Sequence, residues 1–491
     1  MTPTPVAYKK GGTLIVGLNG DTKTLDPHVS NLIVWQNIRR QIFDQLLRTD
    51  VKGTVLPWLA TEFKWADTKT LELTLPTDVV FHNGEKFTAD DVKYTIDRIL
   101  TPDLPSEFAT LLNGMDKVEV LAPDKVRFTL KESDSTFTNL LTYIDIISKS
   151  VSADKIATEP IGTGAFKFSE WLPNESLKLV RNDKFRLADQ PYLDAITYKP
   201  MPDSEARIAS LLAGDIDWDF EVAIKDIARV ATTKGINVIK SESGSLGIFY
   251  LNMNQPPFND KRIRQALLFG FDRQGYNRDF QTGLARVTNS PIGSSNWGYN
   301  PDVDKMYPYD TTKAKDLLKE AGFSDVKGLQ IEVIYPVGLE EYKTISEYFQ
   351  SMMNDIGVKV NVVGMELAAW SNKIIKEKTY QIAYDVRDVA VTEPADPYND
   401  FTFTKPDKEN FDGFTEEMIP GYLDLIKQGV AETDQAKRKD IYFKLQQMWA
   451  DELPGWIISA APQFWVTHDW VIDLNKSGLP PYRLYETWLN K

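Results

Sequence analysis

The chain is 491 residues long, 42% apolar and 26% charged, with no cysteine and a formal net charge of −14. At the usual ~100–200 residues per domain this predicts roughly three domains of an ordinary folded protein, and it excludes disulfides, thiolate metal sites and a cysteine nucleophile. The acidic balance argues against a nucleic-acid partner and against adhesion to anionic lipid, both of which call for a basic surface. No apolar run approaches the ~20 residues of a membrane helix. The opening Met-Thr-Pro-Thr-Pro has no signal-type apolar stretch and reads as a mature or truncated terminus; an anchoring cysteine would lie upstream of it.

In chain order, a short apolar strand over 13–18 runs into the polar turn Asn19-Gly20-Asp21, and a helix is predicted over 33–47. Alternating patterns predict strands over 70–75, 117–121, 125–130, 167–171 and 176–180. Between the first two, Thr88 with Asp91 has capping-box spacing for a helix over 92–100. Helical patterns dominate later, over 204–212, 261–269, 313–321, 342–356, 418–429 and 435–451. Asp310 introduces the helix that brings Ala314, Leu317, Leu318 and Ala321 onto one side and ends at Gly322. A strand is expected to end near Arg387 and Asp388. There is no repeat and no low-complexity tract, so the mixture reads as a multi-domain α/β protein.

Certain blocks fall in a familiar order. Leu25-Asp26-Pro27, Pro57-Trp58-Leu59-Ala60, Val80-Phe81-His82-Asn83-Gly84 and Phe87-Thr88-Ala89-Asp90-Asp91-Val92 are followed by Pro160-Ile161-Gly162-Thr163-Gly164-Ala165-Phe166 and Leu211-Leu212-Ala213-Gly214-Asp215-Ile216-Asp217. Then come Leu251-Asn252-Met253-Asn254, Arg262 to Leu267, Phe271-Asp272-Arg273 and Ala321-Gly322-Phe323. This series resembles the peptide/nickel (oligopeptide/dipeptide-binding) class of extracytoplasmic solute-binding proteins that serve ABC importers. Ala165 stands where that class usually has proline. The resemblance implies an α/β, periplasmic-binding-protein type II-like fold with two hinged lobes and an accessory domain. Lobe I would comprise 1–43, 162–242 and 464–491, the accessory domain 44–161, and lobe II 243–463. The two chain crossings, near 241–247 and 462–465, would form the hinge; Ser241 to Ser245 carries the small polar residues that a hinge tolerates and reads alternatively as an ordinary loop.

What the resemblance implies about function is capture, not catalysis. A monomer outside the cytoplasmic membrane, in a periplasm or lipid-anchored, would close on a small peptide or peptide-like solute and deliver it to a membrane permease, with no cofactor. The same role could take an oligosaccharide or an opine-like sugar–amino-acid conjugate. Asn19 and Asp21 are candidate ligand residues because α/β ligands sit off the carboxyl ends of strands. Gly162-Thr163-Gly164 offers amides with little steric cover, making Thr163 and Gly164 candidates. It is no phosphate loop, since no Gly-Lys-Ser/Thr follows. In lobe II, Asn252, Trp370, Arg387 and Asp388 are candidates. The resemblance puts an ammonium-receiving aspartate at Asp388, with Asp385 as rival. Arg387 has the fork to hold a carboxylate. Trp35, Trp297 and Trp465 are further aromatic candidates. Arginine is absent over 335–350, where peptide-gripping relatives often carry one, so a tight dipeptide clamp is not expected. His28, His82 and His468 are too dispersed for a direct nickel site. A secreted glycan hydrolase would draw on Asp215, Asp217 and Asp219, but Gly244-Ser245-Leu246-Gly247 lacks the serine-hydrolase spacing.

Overall fold

The computed structural model describes residues 8–30, 33–102, 104–106, 108–323, 328–338, 340–388, 392–399, 413, 415–474 and 482–491. Two units emerge from the contacts: Met1–Ser241 with Phe464–Lys491, and Glu242–Gln463. In the first, Thr13–Leu18 pairs in parallel with Ala195–Pro200 on one side and with Trp218–Asp219 on the other. Ser176–Arg181 and Phe166–Leu172 extend this sheet antiparallel. Leu14, Val16 and Leu18 share one face of this strand and are all buried, while on the other face Gly17 is buried and Ile15 half-buried, as expected of a strand between parallel neighbours. Gly17 lies where a Cβ would come within 2.6 Å of Ile216.

A second, antiparallel sheet of the same unit runs in the order Glu62–Trp65, Thr70–Thr74, Lys125–Leu130, Met115–Ala122. Its alternation is the half-buried kind: Leu71 and Leu73 point inward, as do Val126, Phe128 and Leu130. The helix Ala89–Ile99 contributes Val92, Ile96 and Ile99 to that core. Its start follows the capping-box expectation, the Thr88 amide donating to the Asp91 carboxylate at 2.9 Å.

In the second unit Gln330–Pro336 lies parallel to Lys359–Met365 and to Ile382–Asp388, and Ile382–Asp388 is antiparallel to the end of Ile236–Leu251. Helices Lys261–Phe269, Thr311–Glu320 and Glu340–Asp355 contribute Leu267, Leu318 and Phe349 to a core shared with Phe249, Tyr384 and Trp456. Asp310 caps the second of these through the Lys313 amide at 2.8 Å. A separate cluster gathers Ile426, Tyr442, Leu445 and Trp449 from Tyr422–Ala431 and Gln435–Glu452.

Three sequence expectations need correction. The helix over 33–47 stops at Ile42, because the Ile42 carbonyl is taken by the Gly164 amide at 2.9 Å and Gln45 leaves to bridge Asp145. The helix expected from 418 begins at Tyr422, since Gly421 has a φ of 79° that a right-handed helix does not admit. The small polar stretch from Ser241 is no loop: it lies within the single strand Ile236–Leu251. Gly244 there passes so close to the strand Gly455–His468 that a Cβ would fall 2.0 Å from the Ala461 carbonyl.

Candidate functional site

In the second unit the pleat of Ile382–Asp388 decides which side chains meet. Residues two apart share a face, so Ala383, Asp385 and Arg387 stand together, opposite Tyr250, Ile248 and Leu246. The Arg387 Nη2 is 2.9 Å from Asp385 Oδ2, and its Nε donates to the Tyr250 hydroxyl at 2.9 Å. Burial pushes the Asp385 carboxyl up, with the Arg387 guanidinium working against it. The same setting pushes Tyr342 up to about 12, through its own burial first and the Asp385 charge second. The result is a carboxylate and a guanidinium side by side at the carboxyl end of a strand, with a phenol fixing the fork.

The other expected residues of this unit fare differently. Asn252 is buried and donates to the carbonyls of Lys378 and Tyr380, both at 2.9 Å, while its oxygen accepts from Asn254 N. It clips the strand end to the turn before Ile382. Trp370 is buried in the cluster of Tyr250, Ile374, Tyr380 and Ala383, its indole N–H lacking a hydrogen-bond partner. It underlies the face that carries Asp385 and Arg387. The backbone of Asp388 pairs with Ser245; its side chain lies outside the described residues.

In the first unit Asn19 leaves the carboxyl end of Thr13–Leu18 and donates to Glu221, which follows the parallel strand Trp218–Asp219. Asp21 is the anchor of a neighbouring turn, accepting from the Trp171 indole at 3.2 Å and the Asn174 amide at 2.7 Å. It therefore holds the turn between Phe166–Leu172 and Ser176–Arg181, while Asn19 with Glu221 sits just past the ends of the parallel strands Thr13–Leu18 and Trp218–Asp219.

The loop Gly162-Thr163-Gly164 is the clearest correction. Its amides are covered: Gly164 N goes to Ile42 O and Gly162 N to His82 Nδ1 at 3.3 Å. A Cβ on Gly162 would lie 2.1 Å from the Ile42 carbonyl and one on Gly164 2.4 Å from that of Gln41. Glycine is required because the loop presses on a helix end. Thr163 is buried and donates to Asp44 at 2.9 Å. Thr163 and Gly164 thus serve the fold.

Of the remaining aromatic candidates, Trp35 and Trp465 are buried and Trp297 is half-buried. Trp35 donates to the Asp26 carbonyl, Trp465 packs in the first unit's core, and Trp297 lies edge-on to Tyr442. Asp217 accepts from Ile15 N and the Trp470 indole, and Asp219 pairs with Arg207 at 2.9 Å, so the three acids of the hydrolase reading do not form one strand face. Two residues that the sequence reading passed over are Tyr250 and Glu221. Tyr250 carried a signal, a hydroxyl within the short apolar run from Ile248 to Leu251; Glu221 carried none.

A model of the bacterial extracellular solute-binding proteins, family 5 (middle), matches residues 54–410. The oligopeptide-binding protein AppA of Bacillus subtilis is 32% identical over 333 residues, which span 65% of this chain and 61% of that protein. Di/tripeptide-binding protein 1 of Pseudomonas aeruginosa is 27% identical over 448 residues, 84% of this chain and 82% of the relative. The solved structure of Bacillus subtilis AppA with a nonapeptide superposes with a TM-score of 0.76 at 25% identity, covering 99% of this chain and 100% of that one.

Proposed function

The chain belongs to the bacterial extracellular solute-binding proteins of family 5, and on that footing we propose that it captures a small peptide or peptide-like solute for an ABC importer. It works outside the cytoplasmic membrane and hands its solute to a permease. Among the described residues no helix is long and apolar enough to cross a membrane.

One observation carries the peptide reading. Asp385 and Arg387 set opposite charges two residues apart on one strand face, and a peptide brings both an ammonium and a carboxylate. Arg387 has the fork for a carboxylate. Asp388, next in sequence, is the ammonium receiver that the family resemblance assigns, with Asp385 balancing Arg387 beside it. The names of the relatives, an oligopeptide-binding and a di/tripeptide-binding protein, point the same way.

The test is thermal unfolding against di- to pentapeptides, oligosaccharides and sugar–amino-acid conjugates. A ligand at 100 times its dissociation constant adds ~2.7 kcal/mol to the folded state, so binding is read as a clear rise in Tm. A rise with peptides is the expected result. A rise with sugars or conjugates alone would overturn the peptide assignment while leaving capture intact.

A further inference from the structure

An excess of positive charge surrounds Trp58 in the first unit. The indole N–H donates to Asp44 Oδ1 at 2.6 Å. Over the ring stand three guanidinium groups, with Arg186 at 4.0 Å, Arg483 at 4.8 Å and Arg48 at 5.4 Å from its centroid. One cation on an aromatic face is favourable. Three around one indole repel each other, and burial adds to the cost of keeping them charged. Arg483 is drawn down to about 10 by burial, against the opposing charges of Asp44 and Tyr485, with Arg186 and Arg48 adding smaller shares to the lowering. Arg40, at the end of the helix Ile33–Ile42, is drawn down to about 9 by burial and then by Arg483.

Asp44 is a single carboxylate set against three guanidinium groups, and it offsets them only in part. Its Oδ1 is engaged by Trp58 and its Oδ2 by Thr163, and Arg186 Nη2 stands 3.7 Å away, beyond hydrogen-bond distance. Among the described residues, Arg40 Nε, Arg48 Nε, Arg186 Nε and Arg186 Nη2 are buried donors with no acceptor. Buried charged donors without acceptors are costly, and several converge on one ring. Trp58, Arg48 and Arg186 are half-buried, so solvent reaches the cluster.

We propose that the Trp58 cluster is a binding site for a small oxyanion of the phosphate, sulfate or carboxylate class, built entirely within the first unit and separate from the solute site. An oxyanion supplies several acceptors at once, which matches planar guanidinium forks better than a spherical halide does. Arg48, Arg186 and Arg483 come from three distant stretches of chain, so the bound anion ties the C-terminal segment to the N-terminal sheet.

The experiment follows Tm in a zwitterionic buffer at constant ionic strength, replacing chloride stepwise by inorganic phosphate, sulfate or acetate. The wild-type chain should show a saturable rise with at least one oxyanion, and Arg186→Gln should weaken that response tenfold or more. Without oxyanion, Arg186→Gln should unfold no lower than wild type, because removing a like charge offsets the lost stacking. Arg48→Gln gives an independent check if Arg186→Gln does not fold, and Arg278→Gln, an exposed site elsewhere, should respond as wild type does. An equal rise with chloride, or an undiminished response in both Arg186→Gln and Arg48→Gln, would overturn the proposal. The peptide-induced rise should persist in these variants, so failure of the anion site and failure of peptide capture are told apart.

Discussion

Two regions of the molecule are held together by different physics. Around the helix Ile33–Ile42, buried charge does the work: Arg39 pairs with Asp145, Gln45 donates to the same carboxylate, and Arg98 pairs with Asp26 while donating to His28 at 2.8 Å. Around Phe249 in the second unit the contacts are rings, with Tyr384 at 5.0 Å, Phe349 at 5.1 Å and Phe271 and Trp456 at 6.2 Å between centroids. Aromatic packing scales with area and has no single required partner. A buried ion pair depends on every member being present, because each one lost strands a charge. The first region is therefore specific but brittle, and the second is robust to chemistry but sensitive to volume.

The largest effects should come from breaking each region in its own way. Arg39→Met leaves Asp145 buried beside Gln45 without its cation and should cost ~3–5 kcal/mol in denaturant unfolding. Adding Asp145→Leu should recover much of that loss. Phe249→Ala should cost a similar ~3–5 kcal/mol as a cavity, with no single second substitution restoring it. If Arg39→Met proves harmless, the charged region is not what holds that helix.

Acid should separate the regions next. All three histidines lie in the first unit. His28 is fully buried and drawn down to about 4 by desolvation, Arg98 adding to the shift and its contact with the Asp145 carbonyl opposing it. Between about pH 6.5 and 4 the unfolded chain binds a proton that the folded chain refuses, so the first unit loses stability as pH falls through that window, on the order of 3 kcal/mol from His28. His82 is also drawn down to about 4, chiefly by desolvation, and adds a smaller share because it lies nearer the surface. Asp219 in the same unit, raised by burial, pulls weakly the other way. In the second unit the raised Asp385 has the opposite sign: its folded form holds a proton that the unfolded form has lost, a contribution present at low pH and lost as pH rises. Hydrogen exchange followed from pH 7 to 4 should show protection declining in first-unit peptides before second-unit ones. His28→Gln should flatten that decline, and an unchanged slope would remove His28 as its cause.

The smallest expected effects are on ligand. Asp388→Ala should weaken an amine-bearing peptide by ~1.5–3 kcal/mol, the scale of one charge-assisted hydrogen bond, measured by calorimetric titration. Arg387→Lys keeps the charge but loses the fork held by Tyr250, so an acidic or carboxylate-terminated ligand should suffer while a neutral one hardly changes. Unchanged affinity in both variants would move the solute contact off this strand.

Elements whose signal is local were readable from the chain alone. The apolar run 13–18, the alternation of Thr70–Thr74 and Lys125–Leu130, and the caps at Thr88 and Asp310 all follow from period and side-chain chemistry within a few residues. Helix ends set by distant groups were illegible. Ile42 ends its helix because a glycine loop far along the chain takes its carbonyl, and the same contact turns Gly162-Thr163-Gly164 from a presumed ligand loop into a packed one. Of the candidate site, Arg387 and Asp385 were legible because two charges two apart on a strand must share a face. Tyr250, Glu221 and the arginines around Trp58 were not, since no spacing in the chain records which distant strand ends meet. Only the tertiary structure decides that, because burial and partner choice depend on residues brought together from across the fold.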